Sequence, residues 1–272
     1  MLNMRRIKLQ IKHKRITYRM GDQFVLKPIF DVHLGNRACD ENAFRSYLAD
    51  SDERTFFIGG GDLMDAVITS DLKRYRKGID MSPSEAIIDY QVDRAAAFLS
   101  PYREQILGLG SGNHEDTLVT KCSTDMTKRL CTRLDVPFLG YSGLFALRFT
   151  QGGQGGRTVV IRYHHGWAAG RTQGGQLTSN AKDVMHFDAD VCLYGHGHKL
   201  LTDSIARLGI SKTNRFISKD IIICLCGSFL KTYLEGETTY SEKKGYPPTR
   251  IGSPYISIRP TKNSVELKAH TN

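Results

Sequence analysis

An α/β fold is what this sequence predicts, and three observations carry the expectation. Five short apolar runs of strand length each end in a polar cluster, a stretch with helical spacing separates two of them, and the chain after residue 198 reads mainly as β. The runs cover residues 24–30, 55–58, 106–109, 159–163 and 191–194. The clusters that follow are Asp31-Val32-His33, Gly61-Asp62-Leu63-Met64-Asp65, Gly112-Asn113-His114-Glu115, His164-His165-Gly166 and Gly195-His196-Gly197-His198. In open α/β sheets the loops beyond the carboxyl ends of the strands converge on one crevice, so residues far apart in sequence meet there. Six of the nine histidines sit in these clusters, a concentration that points to a two-metal hydrolytic centre.

The elements follow in order. Residues 1–15 are basic but lack an apolar core, so they do not read as a secretory signal, and the alternation of Ile7, Leu9 and Ile11 predicts an edge strand. Ser82, Pro83, Ser84 and Glu85 form a capping box with proline at the first helical position. Ile88, Val92, Ala95 and Leu99 continue that helix to about Ser100 and Pro101. A second helix is expected over residues 123–134, capped by Ser123 or Thr124. Residues 144–149 and 158–163 flank a glycine cluster, Gly152, Gly153, Gly155 and Gly156, which predicts a hairpin turn. It lacks the lysine and following helix of a phosphate-binding loop.

Beyond His198 strands are expected at 200–206, 221–226, 255–258 and 264–267. The run 235–253, rich in Gly, Thr, Lys and Pro, is a long loop of the kind that is usually functional or mobile. No internal repeat is present. Because the clusters run from residue 31 to residue 198, no division separates them, and the expectation is a single domain over 1–272.

Composition narrows the function classes. No run approaches the roughly 18 apolar residues that a membrane span needs, so a cytoplasmic protein without a membrane partner is expected. Cys39, Cys122, Cys131, Cys192, Cys224 and Cys226 form no regular framework, as in a reducing compartment, and Cys192 and Cys224 read as small core hydrophobes. A formal charge of +10, from 38 basic and 28 acidic residues, suggests an anionic partner, with nucleic acid expected, although charge alone does not tell a polymer from a soluble nucleotide. Lys73, Arg74, Tyr75, Arg76 and Lys77 form the densest basic stretch, suited either to a phosphate backbone or to a solvated helix end.

Two divalent cations held a few ångströms apart need a shared anion plus ligands on each side. Asp31 and His33 can reach one cation from a single loop, Asp62 is the natural bridge, and Asn113 offers a neutral amide oxygen. Such a mixed carboxylate, amide and imidazole set suits manganese, iron or zinc better than calcium. Each pair alone is a weak signal; all five in order, each at a strand end, form a strong one.

In these residues the chain resembles the calcineurin-like metallophosphoesterase superfamily, whose pattern is DxH, GDxxD, GNH(E/D), HG and GHxH in that order. The resemblance covers residues 24–198 closely and the later β segment loosely. It implies an α/β/β/α four-layer sandwich of two mixed sheets flanked by helices, with two divalent metal ions at one edge. By matching positions, the first metal takes Asp31, His33, Asp62 and His198, and the second takes Asp62, Asn113, His165 and His196. His114 then faces the substrate as general acid for the leaving oxygen, and Asp65 is its carboxylate partner. The histidine directly before glycine is the family ligand, which leaves His164 as a supporting or substrate-contacting residue.

Phosphoprotein phosphatases of this superfamily carry arginine after the second aspartate of GDxxD, where Ala66 stands here. Asp31 through Gly35 looks instead like the first motif of the repair-type DNA exonucleases, and the glycine turn and GHGH segment resemble phage or prophage members. Arg37 and Arg171 are candidate phosphate contacts, and Trp167 either stacks a base or packs. The leading expectation is a metal-dependent phosphodiesterase acting on nucleic acid, a DNA nuclease. A phosphatase or phosphodiesterase for small or cyclic nucleotides is the enzymatic alternative, and a non-catalytic scaffold is the third.

Overall fold

The computed structural model describes residues 12–68, 86–152, 154–167, 170–211 and 213–271. The expected edge strand at Ile7–Ile11, the basic stretch at residues 73–77 and the capping box at residues 82–85 lie outside them. The elements are β1 (Lys12–Thr17), β2 (Phe24–Ile29), α1 (Glu41–Ala49), β3 (Thr55–Gly60), α2 (Ile87–Leu99), β4 (Ile106–Gly110), α3 (Asn113–Cys122), α4 (Met126–Leu134) and β5 (Phe138–Gly140). They continue as β6 (Ser142–Gln151), β7 (Gln154–His164), α5 (Gln173–Val184), β8 (Val191–Tyr194), β9 (Leu200–Ile210), β10 (Phe216–Cys226), α6 (Tyr240–Lys243), β11 (Tyr255–Pro260) and β12 (Val265–His270).

Two six-stranded mixed sheets result. The first has the order β12-β11-β2-β3-β4-β5, with β2 to β5 parallel; the second has the order β1-β6-β7-β8-β10-β9, with β7, β8 and β10 parallel. Strands buried on both faces read as continuous apolar runs rather than as an alternation, and β3 shows why. Phe56 and Ile58 pack between the sheets with Leu26, Leu147, Ile161, Leu193 and Ile256, while Phe57 faces outward onto the helices.

The outer face of the first sheet is covered by α1 to α4 through Phe44, Leu48, Val92, Leu99, Leu118 and Leu130. On the second sheet, α5 supplies Val184, with Leu177 and Ala181 packed beside it, over Cys192, Tyr194 and Ile223. Helix, sheet, sheet, helix is the four-layer sandwich that the resemblance implies. Full burial of each large apolar side chain contributes about 1.5–3 kcal/mol. Cys224 and Cys226 are core residues on β10, and all six cysteines are free thiols. No described helix is long and apolar enough to cross a membrane.

One helix assignment needs correction. Ser123 does not cap the 123–134 helix; it closes α3 in a left-handed conformation (φ 53°), and Asp125 caps α4 by accepting from the Lys128 N–H at 2.9 Å. Aspartate caps as well as serine does. The polar composition of residues 113–122, with only Leu118 buried among its large apolar residues, hid the helix that begins at Asn113. β6 and β7 pair antiparallel with Gln151 opposite Gln154, where the hairpin was expected, and the strands after His198 are longer than the apolar runs that foretold them.

Candidate metal centre

Every cluster emerges from the carboxyl end of a parallel strand. Asp31 and His33 follow β2, Asp62 and Asp65 follow β3, Asn113 and His114 open α3 just past β4, His165 follows β7, and His196 and His198 follow β8. The loops turn sharply. Asp31, His33, Asp62, His196 and His198 all adopt left-handed backbone angles (φ 49°, 57°, 50°, 64° and 53°). Asp and His tolerate this region better than most side chains, yet each such residue costs on the order of 1–3 kcal/mol. Hydrogen bonds between the loops offset that strain: Asp31 N–H donates to Gly61 O (3.1 Å), His33 N–H to Asp62 O (3.0 Å) and Gly195 N–H to His165 O (2.9 Å). Gly61 (φ 107°) has no room for a side chain, since a Cβ there would stand 2.4 Å from the Gly112 nitrogen.

The side chains meet in two groups. Asp31, His33 and His198 form the first: the Nε2 atoms of His33 and His198 are 3.3 Å apart, and His198 Nε2 is 3.6 Å from Asp31 Oδ1. The second holds Asp62, His165 and His196, with His165 Nε2 3.3 Å from Asp62 Oδ2 and 2.9 Å from Asn113 Oδ1. His165 Nδ1 lies 3.1 Å from the Gly60 carbonyl and donates to it, so Nε2 is the nitrogen that would face a cation once its proton is lost.

The donor set fits divalent cations. Asp31 Oδ1 is buried and makes no hydrogen bond, which is costly unless a cation faces it. Two imidazole nitrogens 3.3 Å apart match neighbouring ligands on a metal with bonds of about 2.0–2.1 Å. Burial pushes the His198 imidazole well down and the His33 imidazole down, toward the neutral form that ligates. Burial also pushes the Asp31 carboxyl well up. Asp62 is buried too, but the charges of His114 and His165 hold its carboxyl well below the usual range. Burial pulls His165 down most strongly of any single cause, yet Asp62, Asp31 and Glu115 together raise it to about 9.

His114 stands beside both groups. Its Nδ1 donates to the Asp65 main-chain carbonyl at 2.6 Å, leaving Nε2 as the atom available to a substrate, 3.9 Å from Asp62 Oδ2. The Asp65 carboxylate is shared: Oδ1 is 3.4 Å from His33 Nδ1 and 3.8 Å from His114 Nδ1. His33, Asp65 and His114 therefore make a third group of close donors.

A cavity of about 660 Å³ opens over the centre, lined by His33, Asp62, Asp65, Asn113, His114, His196 and His198 together with Arg171. Arg37 is not in that lining but pairs at 2.9 Å with Glu237, which is. His164 accepts from the Gly166 N–H at 2.7 Å and packs edge-on against Tyr141 and Trp167, off the cavity lining. Trp167 donates from Nε1 to Ser179 Oγ at 2.9 Å and packs against Tyr194, so it anchors α5.

Two supporting residues were given no role by the sequence reading. Glu115 is fully buried and accepts from the N–H groups of Gly112 (2.9 Å), Asp62 (3.0 Å) and Met64 (3.1 Å), tying two ligand loops together. Its sequence signals were the last position of the GNH(E/D) element and the Gly-x-x-Glu spacing of a helix cap, neither of which told its role. Gln176 on α5 donates to the carbonyls of Gly170 (3.2 Å) and Gly197 (3.3 Å), joining the Arg171 loop to the His196–His198 loop. Nothing in sequence marked it.

No protein-family profile and no curated protein sequence matches the chain. Among solved structures it is similar to vacuolar protein sorting 29 from Cryptosporidium parvum, at 12% identity over 91% of this chain and 97% of that one, with a TM-score of 0.38. It is also similar to the NAD nucleotidase of Haemophilus influenzae (10% identity, 93% of this chain and 50% of that one, TM-score 0.42). A metallophosphoesterase from Sphaerobacter thermophilus aligns at 13% identity over 91% of this chain and 88% of that one, with a TM-score of 0.37. Likeness this distant says nothing about activity, so the reading below rests on the chain's own residues.

Proposed function

We propose that this protein is a two-metal phosphodiester hydrolase acting on nucleic acid, with DNA as the polymer, manganese as the working ion and the cytoplasm as its location. One observation carries the reading: two groups of metal-type ligands, Asp31 with His33 and His198 and Asp62 with His165 and His196, present His33, Asp62, His196 and His198 to one cavity, and His114 Nε2 stands 3.9 Å from Asp62 Oδ2 on the same lining. Asp31, His33 and His198 would hold one cation and Asn113, His165 and His196 the other, with Asp62 shared. The chemistry the cations supply when bound is polarisation of phosphoryl oxygens and activation of a water nucleophile.

The remaining steps belong to the protein. His114 Nε2 protonates the leaving oxygen, and the Nδ1 bond to the Asp65 carbonyl fixes the ring so that this nitrogen faces the cavity. Asp65 Oδ1, 3.4 Å from His33 Nδ1 and 3.8 Å from His114 Nδ1, positions the two rings beside each other. Arg171 is the cavity-lining cation for a phosphate of the substrate. Ala66, in place of an arginine, removes a clamp for a terminal phosphate and favours a diester. The net charge of +10 favours a polyanion.

The test is a substrate panel with the manganese-loaded protein: linear duplex DNA, single-stranded DNA, RNA, cyclic nucleotides and an aryl phosphodiester. Hydrolysis of the aryl ester and of DNA, with efficiency that rises with strand length and falls steeply with salt, supports the nuclease reading. Hydrolysis without any length dependence moves the assignment to small nucleotides, a reading the 660 Å³ volume also accommodates. No turnover of any phosphodiester with manganese, iron or zinc overturns the hydrolase reading.

A further inference from the structure

The cavity is far larger than a phosphate group requires, and one wall of it plays no part in the metal chemistry. That wall is residues 230–249, from the long segment after β10. Leu234, Tyr246 and Pro247 give it apolar and aromatic surface, and Thr232 and Thr249 give it hydroxyls. The two threonine Oγ1 atoms are 2.9 Å apart, so one of their protons is spent between them and the other is left to donate. This pairing of an aromatic plate with a spare hydroxyl donor suits a ring that carries acceptor groups.

Charge on the wall is already neutralised. Lys231 pairs with Asp40 at 2.9 Å and Glu237 pairs with Arg37 at 2.9 Å. Lys199 and Arg171 line the same cavity from the loops after β8 and β7, and neither has a carboxylate partner among the described residues. The cavity is thus divided between a near-neutral aromatic and hydroxyl wall and a flank of two cations, Lys199 and Arg171, that pair with no described carboxylate. A bare phosphate would use only the second.

The wall is also held in place. Asp40 N–H donates to Phe229 O (2.7 Å), Lys231 N–H to Ala38 O (2.8 Å), and Tyr233 Oη to Tyr246 O (3.0 Å). A surface fixed before binding loses little ordering entropy when a ligand arrives.

Resting on the phosphodiesterase reading and deepening it, we propose that the 230–249 wall is a nucleoside subsite. Tyr246 stacks on the base attached to the phosphate under attack, the Thr232–Thr249 pair donates to that nucleoside, and Lys199 with Arg171 holds the next phosphate of a single strand. The unit recognised is a nucleotide rather than a generic phosphoester, which makes the base a determinant of affinity.

The test is equilibrium binding to the manganese-loaded full chain, by calorimetry, of thymidine 5′-monophosphate and of deoxyribose 5-phosphate, which lacks the base. Stacking of one base on an aromatic ring gives the expected size: the base should strengthen binding roughly tenfold in the wild type. Tyr246→Ala should abolish that increment and Tyr246→Phe should keep it. Equal affinity for the two ligands in the wild type, or an increment that survives in Tyr246→Ala, overturns the subsite. The wild-type comparison decides the matter even if the alanine variant does not fold. Aryl phosphodiester hydrolysis is measured in parallel. Its absence with the base increment intact sinks the hydrolase reading and leaves the subsite standing; turnover without the increment does the opposite.

Discussion

Replacing Gly112 by alanine isolates the geometry of the centre from the stability of the fold. Gly112 has an ordinary φ of −108°, so alanine brings no backbone strain there. The added Cβ, however, would stand 2.1 Å from Asp62 Oδ1, 2.6 Å from the Asp62 nitrogen and 2.6 Å from His165 Cε1. Comfortable contacts lie near 3.5–4.0 Å, so the two side chains or the start of α3 must move by about 1 Å or more. Overpacking of this kind costs about 1–3 kcal/mol of stability. A misplacement of about 1 Å among reacting groups costs on the order of 100-fold in rate. The expectation is a folded protein with a modest loss in urea stability, a weakened second cation and aryl phosphodiester turnover down about 100-fold. Gly21→Ala is the control. It meets nothing within 4 Å but has φ 94°, so it should cost about 1–2 kcal/mol through the backbone alone and leave turnover intact. Normal metal content and normal turnover in Gly112→Ala would refute the packing argument.

Three further outcomes are expected. Asp62→Asn should lose most of the second cation and nearly all turnover, because the shared ligand gives up its charge; full two-metal occupancy by elemental analysis with normal turnover would remove Asp62 from the bridge. His114→Ala should keep both cations yet lose about 100- to 10,000-fold on substrates with poor leaving groups, with a smaller loss on an ester of an acidic phenol; equal losses on both would end the general-acid assignment. Cation binding should tighten as pH rises from 7 to about 9, with protons released on loading. His165, raised to about 9 against burial by Asp62, Asp31 and Glu115 together, holds a proton below that pH and must give it up to ligate. Proton release measured in weak buffer checks the sign, and an affinity independent of pH over that window would contradict it.

The strands that carry the centre were legible because burial on both faces leaves uninterrupted apolar runs, and because five metal-type residue clusters, each weak alone, follow five such runs in order. Asp31 with His33 and His196 with His198 belong to two of them. The helix beginning at Asn113 was not legible, because its side chains serve the site and α4 rather than an apolar stripe of their own. The roles of Glu115 and Gln176 stayed silent for a related reason. Their bonds reach backbone groups of loops distant in sequence, N–H donors for Glu115 and a carbonyl acceptor for Gln176, and no residue pattern records a backbone partner. The wall at 230–249 could be read only as loop, since its contacts with Arg37, Ala38 and Asp40 depend on where the second sheet delivers the chain.

The two sheets divide the ligands between them. Asp31, His33, Asp62 and Asn113 hang from the first, and His165, His196 and His198 hang from the second. Either ligand group therefore bridges a seam whose width is set by side chains such as Leu26, Ile58, Leu147 and Ile161, packed where the sheets face each other about 10 Å apart. The hydrophobic interior acts as the spacer of a calliper whose jaws are the ligand loops. An extra methylene at one of those positions alters the gap between jaws that must close on ions to within tenths of an ångström. Such variants should show the damage in metal affinity before they show it in melting temperature, and so the greasy centre of this protein is as much an instrument of its chemistry as the histidines at its edge.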